Sequence, residues 1–246
     1  IKLSFDGTVF FANSGAEVVE AAIKLVRRWG HTSPHGGGRY EIVVMERSFH
    51  GRTTGAMSAT GQPKYQGGFE PLLPGFVRVA FNDLAAVERA ITPKTVAIML
   101  EPIQGEGGIR VASEEFLRGV RQLADRHRLL VIYDEIQTGF GRTGAMFAYQ
   151  QDGAGPDVML LAKTLGGGFP IGAMIASRSL SEVLGPGTHA ATFGGSPLAC
   201  ACVLAVIEVI KKQQLLSRVT SFGQVVMKRL NAFKARCPII REVRGQ

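Results

Sequence analysis

The chain has 246 residues, 46% of them apolar, which suits one large α/β domain or one domain with part of another. Its formal charge of +8 is confined to the tail: residues 211–246 carry nine Lys/Arg against one acid, whereas the first 210 carry 19 of each sign. Aromatic residues do not alternate with these cations as a stacking platform requires, so the tail reads as the solvated face of a helix, not a nucleic-acid site, and no run of about 18 apolar residues suggests a membrane span.

Cys200, Cys202 and Cys237 form neither an even disulfide framework nor a paired CxxC zinc pattern. The first two fall in an apolar helical run and read as small core residues. A reducing compartment, the cytoplasm, fits them. The chain starts at Ile1 and ends at Gln246 without a start or stop signal, so it reads as a piece of a longer protein.

Thr8–Ala12 is a short β-rich run. Ser14 followed by Glu17 is a capping-box pattern, and Val19, Ala22, Ile23 and Val26 recur at helical spacing. A strand, a tight glycine turn and a helix start make a place where free N–H groups can hold an anion, or simply an ordinary cap. His31–Arg39 is a Pro/Gly loop, and Glu41–Met45 a strand. The polar, glycine-punctuated stretch Arg47–Tyr65 follows and brings Phe49, His50 and Arg52 together near a strand end. A ring and a guanidinium there suit a planar ligand and a carboxylate; a lone histidine in such a loop is usually structural.

Phe76–Ala80 is the next strand, and Asn82/Asp83 cap a helix running to about Ile91. Thr95–Leu100 is a strand ending at Glu101-Pro102-Ile103-Gln104-Gly105-Glu106, and Ser113–His127 an amphipathic helix. Leu129–Tyr133 and Val158–Leu161 are continuous apolar runs of the kind that form buried parallel strands. The first delivers Asp134 at its end and the second Lys163, so an acid and an amine are presented to one crevice beyond the strand ends. Gly172–Ser177 is a seventh strand, His189–Pro197 a polar glycine loop and Ser196–Lys212 a helix. In the tail Leu215, Val219, Phe222, Val226, Leu230 and Phe233 keep helical spacing, with Lys and Arg on the outer face. About seven strands alternating with helices predict a doubly wound, mostly parallel sheet with helices on both faces, and a domain change is expected near residue 212.

Several chemistries fail on these residues. Gly139-Phe140-Gly141-Arg142-Thr143-Gly144 fits GxGxxG, but Asp134, Glu135 and Gln137 intervene after the strand and no clear helical run follows. The strand ending in Asp134-Glu135 resembles a Walker B element, yet the chain has no GxxxxGK[ST] loop. A metal site from Glu101, Glu106, Asp134 and Glu135 lacks a supporting ligand pair, and there is no GxSxG elbow. A helix start for a phosphate, a ring for stacking, an aspartate and a lysine beside glycines are instead the parts that pyridoxal 5′-phosphate (PLP) needs.

The segments NSGAE (13–17), SFHGRT (48–53), GQPKYQ (61–66), EPIQGEGG (101–108), LLVIYDEIQTGFGRTG (129–144), AKTLGGGFPIGA (162–173) and ATFGGSPLA (191–199) run in order along nearly the whole chain. With them the chain resembles the class III, ornithine-aminotransferase-like PLP aminotransferases of fold type I, most closely their acetylornithine branch. The resemblance implies a PLP-binding large domain over residues 1–212 and the start of a truncated small domain over 213–246. It implies transamination, through a ping-pong cycle, between an amino acid and a 2-oxo acid. The terminal amine of N-acetylornithine would go to 2-oxoglutarate; ornithine, succinylornithine and 4-aminobutyrate are the alternative donors, and a non-catalytic fragment is a further alternative.

Position by position, the resemblance makes Lys163 the Schiff-base lysine and proton shuttle and sets Asp134 against the pyridine nitrogen. Gln137 contacts the ring's 3′-oxygen, Phe49 stacks on the ring, and the amides of Gly15 and Ala16 hold the phosphate. Thr192 reaches the phosphate in a partner subunit, which implies a homodimer. Arg52 holds the substrate α-carboxylate, and Glu106 helps the site switch between substrates. Val18-Val19 stand where the family has Ala-Asn, so altered packing is expected beside the phosphate turn.

Overall fold

The computed structural model describes residues 1–34 and 37–245; His35 and Gly36 of the expected His31–Arg39 loop lie outside the described residues. Its strands are β1 (Gly7–Ala12), β2 (Glu41–Met45), β3 (Phe76–Val79), β4 (Thr95–Leu100), β5 (Ile103–Gln104), β6 (Arg110–Val111), β7 (Leu130–Asp134), β8 (Val158–Leu161) and β9 (Gly172–Ser177). Its helices are α1 (Gly15–Thr32), α2 (Thr54–Ala59), α3 (Leu84–Ala90), α4 (Glu114–His127), α5 (Tyr149–Asp152), α6 (Pro197–Lys212) and α7 (Leu215–Lys234).

Seven strands form one sheet in the order β1-β9-β8-β7-β4-β2-β3. The run from β8 to β3 is parallel throughout, and β9 is reversed between β8 and β1. The apolar runs are continuous because both faces are covered. Ile42, Val44, Ala97, Met99, Leu130, Ile132, Val158 and Leu160 meet α1 through Val19, Ala22, Ile23 and Val26. Val43, Met45, Ile98, Leu100, Val131 and Tyr133 turn the other way, onto Val87 of α3 and Phe116, Val120 and Leu123 of α4. Met159, Leu161, Ala173 and Ile175 pack beneath Ala199 and Ile210 of α6. Each large aliphatic side chain buried this way contributes about 1.5–3 kcal/mol.

The mostly parallel seven-stranded sheet of the sequence reading is present, with ends shifted by a residue or two. The expected His31–Arg39 loop begins later, because α1 runs to Thr32. The hairpin β5–β6 and α2 lie inside stretches read as loops. The start of α2 is held by a distant partner: Glu20 Oε1, on α1, accepts from the amides of Gly55 (2.8 Å) and Ala56 (3.1 Å). Cys200 and Cys202 are only half-buried, since α6 buries little besides Ala199 and Ile210. The tail helix forms, but its apolar stripe is open: Phe222 is 70% and Phe233 59% exposed. Leu216, Val226 and Met227 turn inward only partly, and α7 has no fully buried residue.

Candidate functional site

β1, β2, β4, β7 and β8 run in the same direction, so their carboxyl ends open on one crevice. There lies a cavity of about 470 Å³ lined by residues that follow each of those strands. Gly15 and Ala16 come after β1, Phe49, His50 and Arg52 after β2, and Glu101 after β4. Asp134 and Gln137 come from the end of β7, and Lys163 from beyond β8.

The first wall is the start of α1. Four amides at a helix start lack intrahelical partners. Ser14 Oγ satisfies one of them, accepting from Glu17 N (3.3 Å), and the first bond inside the helix runs from Val18 N to the Ser14 carbonyl (3.3 Å). The amides of Gly15 and Ala16 are among those left over, beside the cavity, where the helix dipole also favours an anion. The capping box is half realised, because the Glu17 carboxylate accepts from Asn13 N instead of Ser14 N. Val18 and Val19 are fully buried in the core beneath this turn, and Gly172 leaves room for Val18: a β-carbon there would come 2.9 Å from its Cγ1.

Asp134 is 4% exposed. Its Oδ2 accepts from His50 Nδ1 (2.7 Å), with the ring proton assigned to that nitrogen, and its Oδ1 from Ile136 N (3.1 Å). His50 is 2% exposed, and its Nε2 has no partner among the described residues. The histidine read as a structural loop residue is thus bonded to the acid at the centre of the site.

Lys163 follows β8 at φ 45°, the left-handed region, which costs a side-chain-bearing residue about 1–2 kcal/mol. The turn aims the amine at the cavity instead of continuing the sheet. Its tip is accessible, yet the surrounding protein lowers the ammonium's pKa; the nearby Asp134, Glu106 and Glu101 carboxyls act against that shift.

Phe49 meets Tyr65 edge to face at 5.3 Å. The Arg52 guanidinium lies over Tyr65 at 4.7 Å and over Phe49 at 5.9 Å. Arg52 is therefore placed by two rings and keeps its donors for an anion. Gln137 Nε2 donates to Glu106 Oε1 at 3.4 Å. Glu106 belongs to an adjoining recess that shares Gln137 and Lys163 with the cavity. A β-carbon on Gly105 would fall 1.8 Å from Gln137 Oε1, so glycine is required for that side chain to stand where it does.

Seven of the residues singled out in the sequence, Gly15, Ala16, Phe49, Arg52, Asp134, Gln137 and Lys163, meet in the cavity. Glu106 adjoins it. Thr192 does not enter it and lines a separate surface recess with Phe10, Asn13 and His189. Glu101, which the sequence offers only as a metal ligand, is a cavity residue in its own right. The signal was available: like Asp134, it is an acid directly after a buried strand. Among the described residues no group of three His, Cys, Asp or Glu is placed to hold a metal ion, and no described helix is long and apolar enough to cross a membrane.

A mostly parallel sheet whose strand ends present an acid, an amine and a helix-start anion site defines a class, and the model of the class III aminotransferase family matches residues 1–246. The chain belongs to that family, with the fold type I architecture of PLP-dependent aminotransferases. An acetylornithine aminotransferase of Caldanaerobacter subterraneus subsp. tengcongensis is 50% identical over 243 residues, covering 99% of this chain and 61% of the relative. A succinylornithine transaminase of Yersinia pseudotuberculosis is 47% identical over 251 residues, covering 100% and 61%. The crystal structure of an ornithine aminotransferase from Toxoplasma gondii matches with a TM-score of 0.93 at 36% identity, covering 97% of this chain and 57% of that one. The chain thus spans 61% of the length of these curated relatives. PLP, the cofactor of this family, fits the residues present: two unpaired amides for its phosphate, a carboxylate for its ring nitrogen, an amine for its aldehyde and a ring for its face.

Proposed function

We propose that the protein of which this chain is part is a PLP-dependent transaminase that moves the terminal amine of N-acetylornithine to 2-oxoglutarate. The observation that carries this reading is the pairing of Asp134 and Lys163 at the ends of adjacent parallel strands, on the same cavity as the start of α1. The names of the relatives described above support the substrate. Succinylornithine is the second donor to test, because relatives of nearly equal identity carry that name. Such a reaction would serve arginine biosynthesis.

Bound PLP supplies an aldehyde that captures amines and a ring that takes up the electron pair left when a neighbouring carbon loses its proton. The chain's residues do the rest. The amides of Gly15 and Ala16 hold the phosphate, and Phe49 covers one face of the ring and keeps water from it. Asp134, oriented by His50 and Ile136 N, presents its carboxylate to the ring nitrogen. Gln137 donates to the ring oxygen. Lys163, whose amine the surrounding protein makes easier to deprotonate, would hold and move the proton of the substrate carbon. Arg52 clamps a substrate carboxylate, and Glu106 adjusts the recess as donor and acceptor alternate. Catalytic roles fall to Lys163 and Asp134.

We place residues 1–212 in the cofactor domain and 213–246 at the start of a smaller one, in keeping with the poor burial of α7. Thr192, outside its own cavity, would reach a partner's in a homodimer. Three free thiols favour the cytoplasm.

The test uses the full-length protein. PLP should give a near-visible absorbance band that Lys163→Ala abolishes, and an amine-donor panel with 2-oxoglutarate should favour acetylornithine. No band in the parent protein sinks the cofactor reading; equal rates on 4-aminobutyrate sink the substrate.

A further inference from the structure

Glu101 follows β4 directly, and Asp134 ends β7. These strands are parallel neighbours with Leu100 opposite Tyr133, so one step further the register sets Glu101 beside Asp134. Leu100 and Tyr133 point to the α3/α4 side, and the next pair along points to the opposite face. Both acids line the cavity, at 5% and 4% exposure. Two like charges facing each other across a ladder in so little water are strongly disfavoured.

The hydrogen bonds decide which acid yields. Both oxygens of Asp134 already accept an N–H, from His50 and from Ile136. Among the described residues Glu101 has only Oε2 engaged, by Phe49 N at 3.1 Å, which leaves its other oxygen for a proton. The groups that face it are Asp134 on β7, with His50 bonded behind, Lys163 beyond β8 and Glu106 in the loop after β5. Burial first, then the Asp134 charge, holds the Glu101 carboxyl well above the ordinary range; Phe49 N and Lys163 oppose this, and Glu106 adds to it.

We propose that Glu101 is a positioning residue that works as an uncharged acid: Oε2 anchors the backbone of Phe49, and the proton on the carboxyl leaves Asp134 as the single anion of the pair. The consequence for the reaction rests on reading this cavity as the PLP site. There, one localised negative charge faces the ring nitrogen, and the stacking ring is pinned by an acid that repels neither Asp134 nor the substrate carboxylate. The protonation state is a property of the protein alone and is measured without cofactor.

The experiment compares Glu101→Gln, Glu101→Ala and Asp134→Asn in the full-length chain. At neutral pH the infrared spectrum of the cofactor-free parent should contain the C=O stretch of a protonated carboxylic acid, and Glu101→Gln should lack it. A carboxyl whose proton affinity is raised by folding loses its proton first in the unfolded chain. The parent therefore loses stability as pH rises above the ordinary glutamate value of 4.5, and Glu101→Gln escapes that loss. The Tm of Glu101→Gln relative to the parent should climb from pH 4.5 toward neutrality. With substrates, Glu101→Gln should keep kcat/KM within about three-fold of the parent, and Glu101→Ala should lose roughly 5- to 150-fold by stranding the Phe49 amide. No protonated-acid band in the parent overturns the proposal, whether or not the variants fold. So does a loss of activity in Glu101→Gln as deep as that of Asp134→Asn. If the band and the Tm trend are present but the parent does not transaminate, the protonation stands and the proposed reaction fails.

Discussion

Gly172→Ala tests how the sheet holds the start of α1. Gly172 opens β9, opposite Ala12 at the end of β1. A β-carbon there would lie 2.5 Å from the carbonyl oxygen of Ser14 and 2.9 Å from Cγ1 of Val18. The first is backbone and the second a branched side chain locked in the core, so neither can swing away. The turn has to move outward. Overpacking of this kind costs about 1–3 kcal/mol, which for a domain of this size lowers Tm by roughly 2–12 °C. The functional loss should be larger than the stability loss implies, because Ser14 caps the helix whose Gly15 and Ala16 amides face the cavity. Weakening one charge-assisted hydrogen bond by about 1.5–3 kcal/mol raises a dissociation constant roughly 10- to 150-fold. PLP affinity followed by absorbance titration, with thermal melts in parallel, measures both. Gly155→Ala is the control, since nothing lies within 4 Å of its β-carbon. An unchanged Tm and PLP affinity in Gly172→Ala would refute the account of this turn.

His50→Ala removes the buried hydrogen-bond partner of Asp134 and should cost about 1.5–3 kcal/mol of stability, read as a shifted denaturant midpoint; a loss below about 0.5 kcal/mol would mean that the pair is not formed. Lys163→Met should raise thermal stability at neutral pH. A lysine whose folded-state proton affinity is lowered favours the unfolded chain wherever that chain holds the proton, so the gain should fade as pH rises through the ordinary lysine value of 10.5. A gain that grows toward alkaline pH would contradict this.

The sheet was legible because its strands are apolar on every residue, and strands buried on both faces leave that pattern. The acid and the amine were legible for the same reason: Asp134 and Lys163 are charges directly after such runs. Other features were hidden because their causes are distant in sequence. Helix α2 has no local cap; Glu20 supplies one from 33 residues away through Thr53 Oγ1 as well as backbone amides. The bond from His50 to Asp134 spans 84 residues, and nothing around His50 announces its partner. Glu101 carries the same signal as Asp134, an acid after a buried strand, but the sequence does not say that the two strands are neighbours in a register that sets these acids side by side. The stripe on α7 shows the converse: periodicity foretold the helix, but periodicity does not say what covers its face.

The pairing of β1 with β9 also has a kinetic consequence. Gly7 stands opposite Ser177 and Ala12 opposite Gly172, so the earliest strand of this sheet docks on its latest one. At about 5–20 residues per second the interval is roughly 10–30 s. During it Phe10 and Phe11 have no β9 to pair against, and the turn carrying Gly15 and Ala16 has no fixed place. The long loop closed by this pairing also raises the contact order and slows the final step. A nascent chain would acquire its anion site only when β9 docks, and chaperone dependence during synthesis should be concentrated in that window.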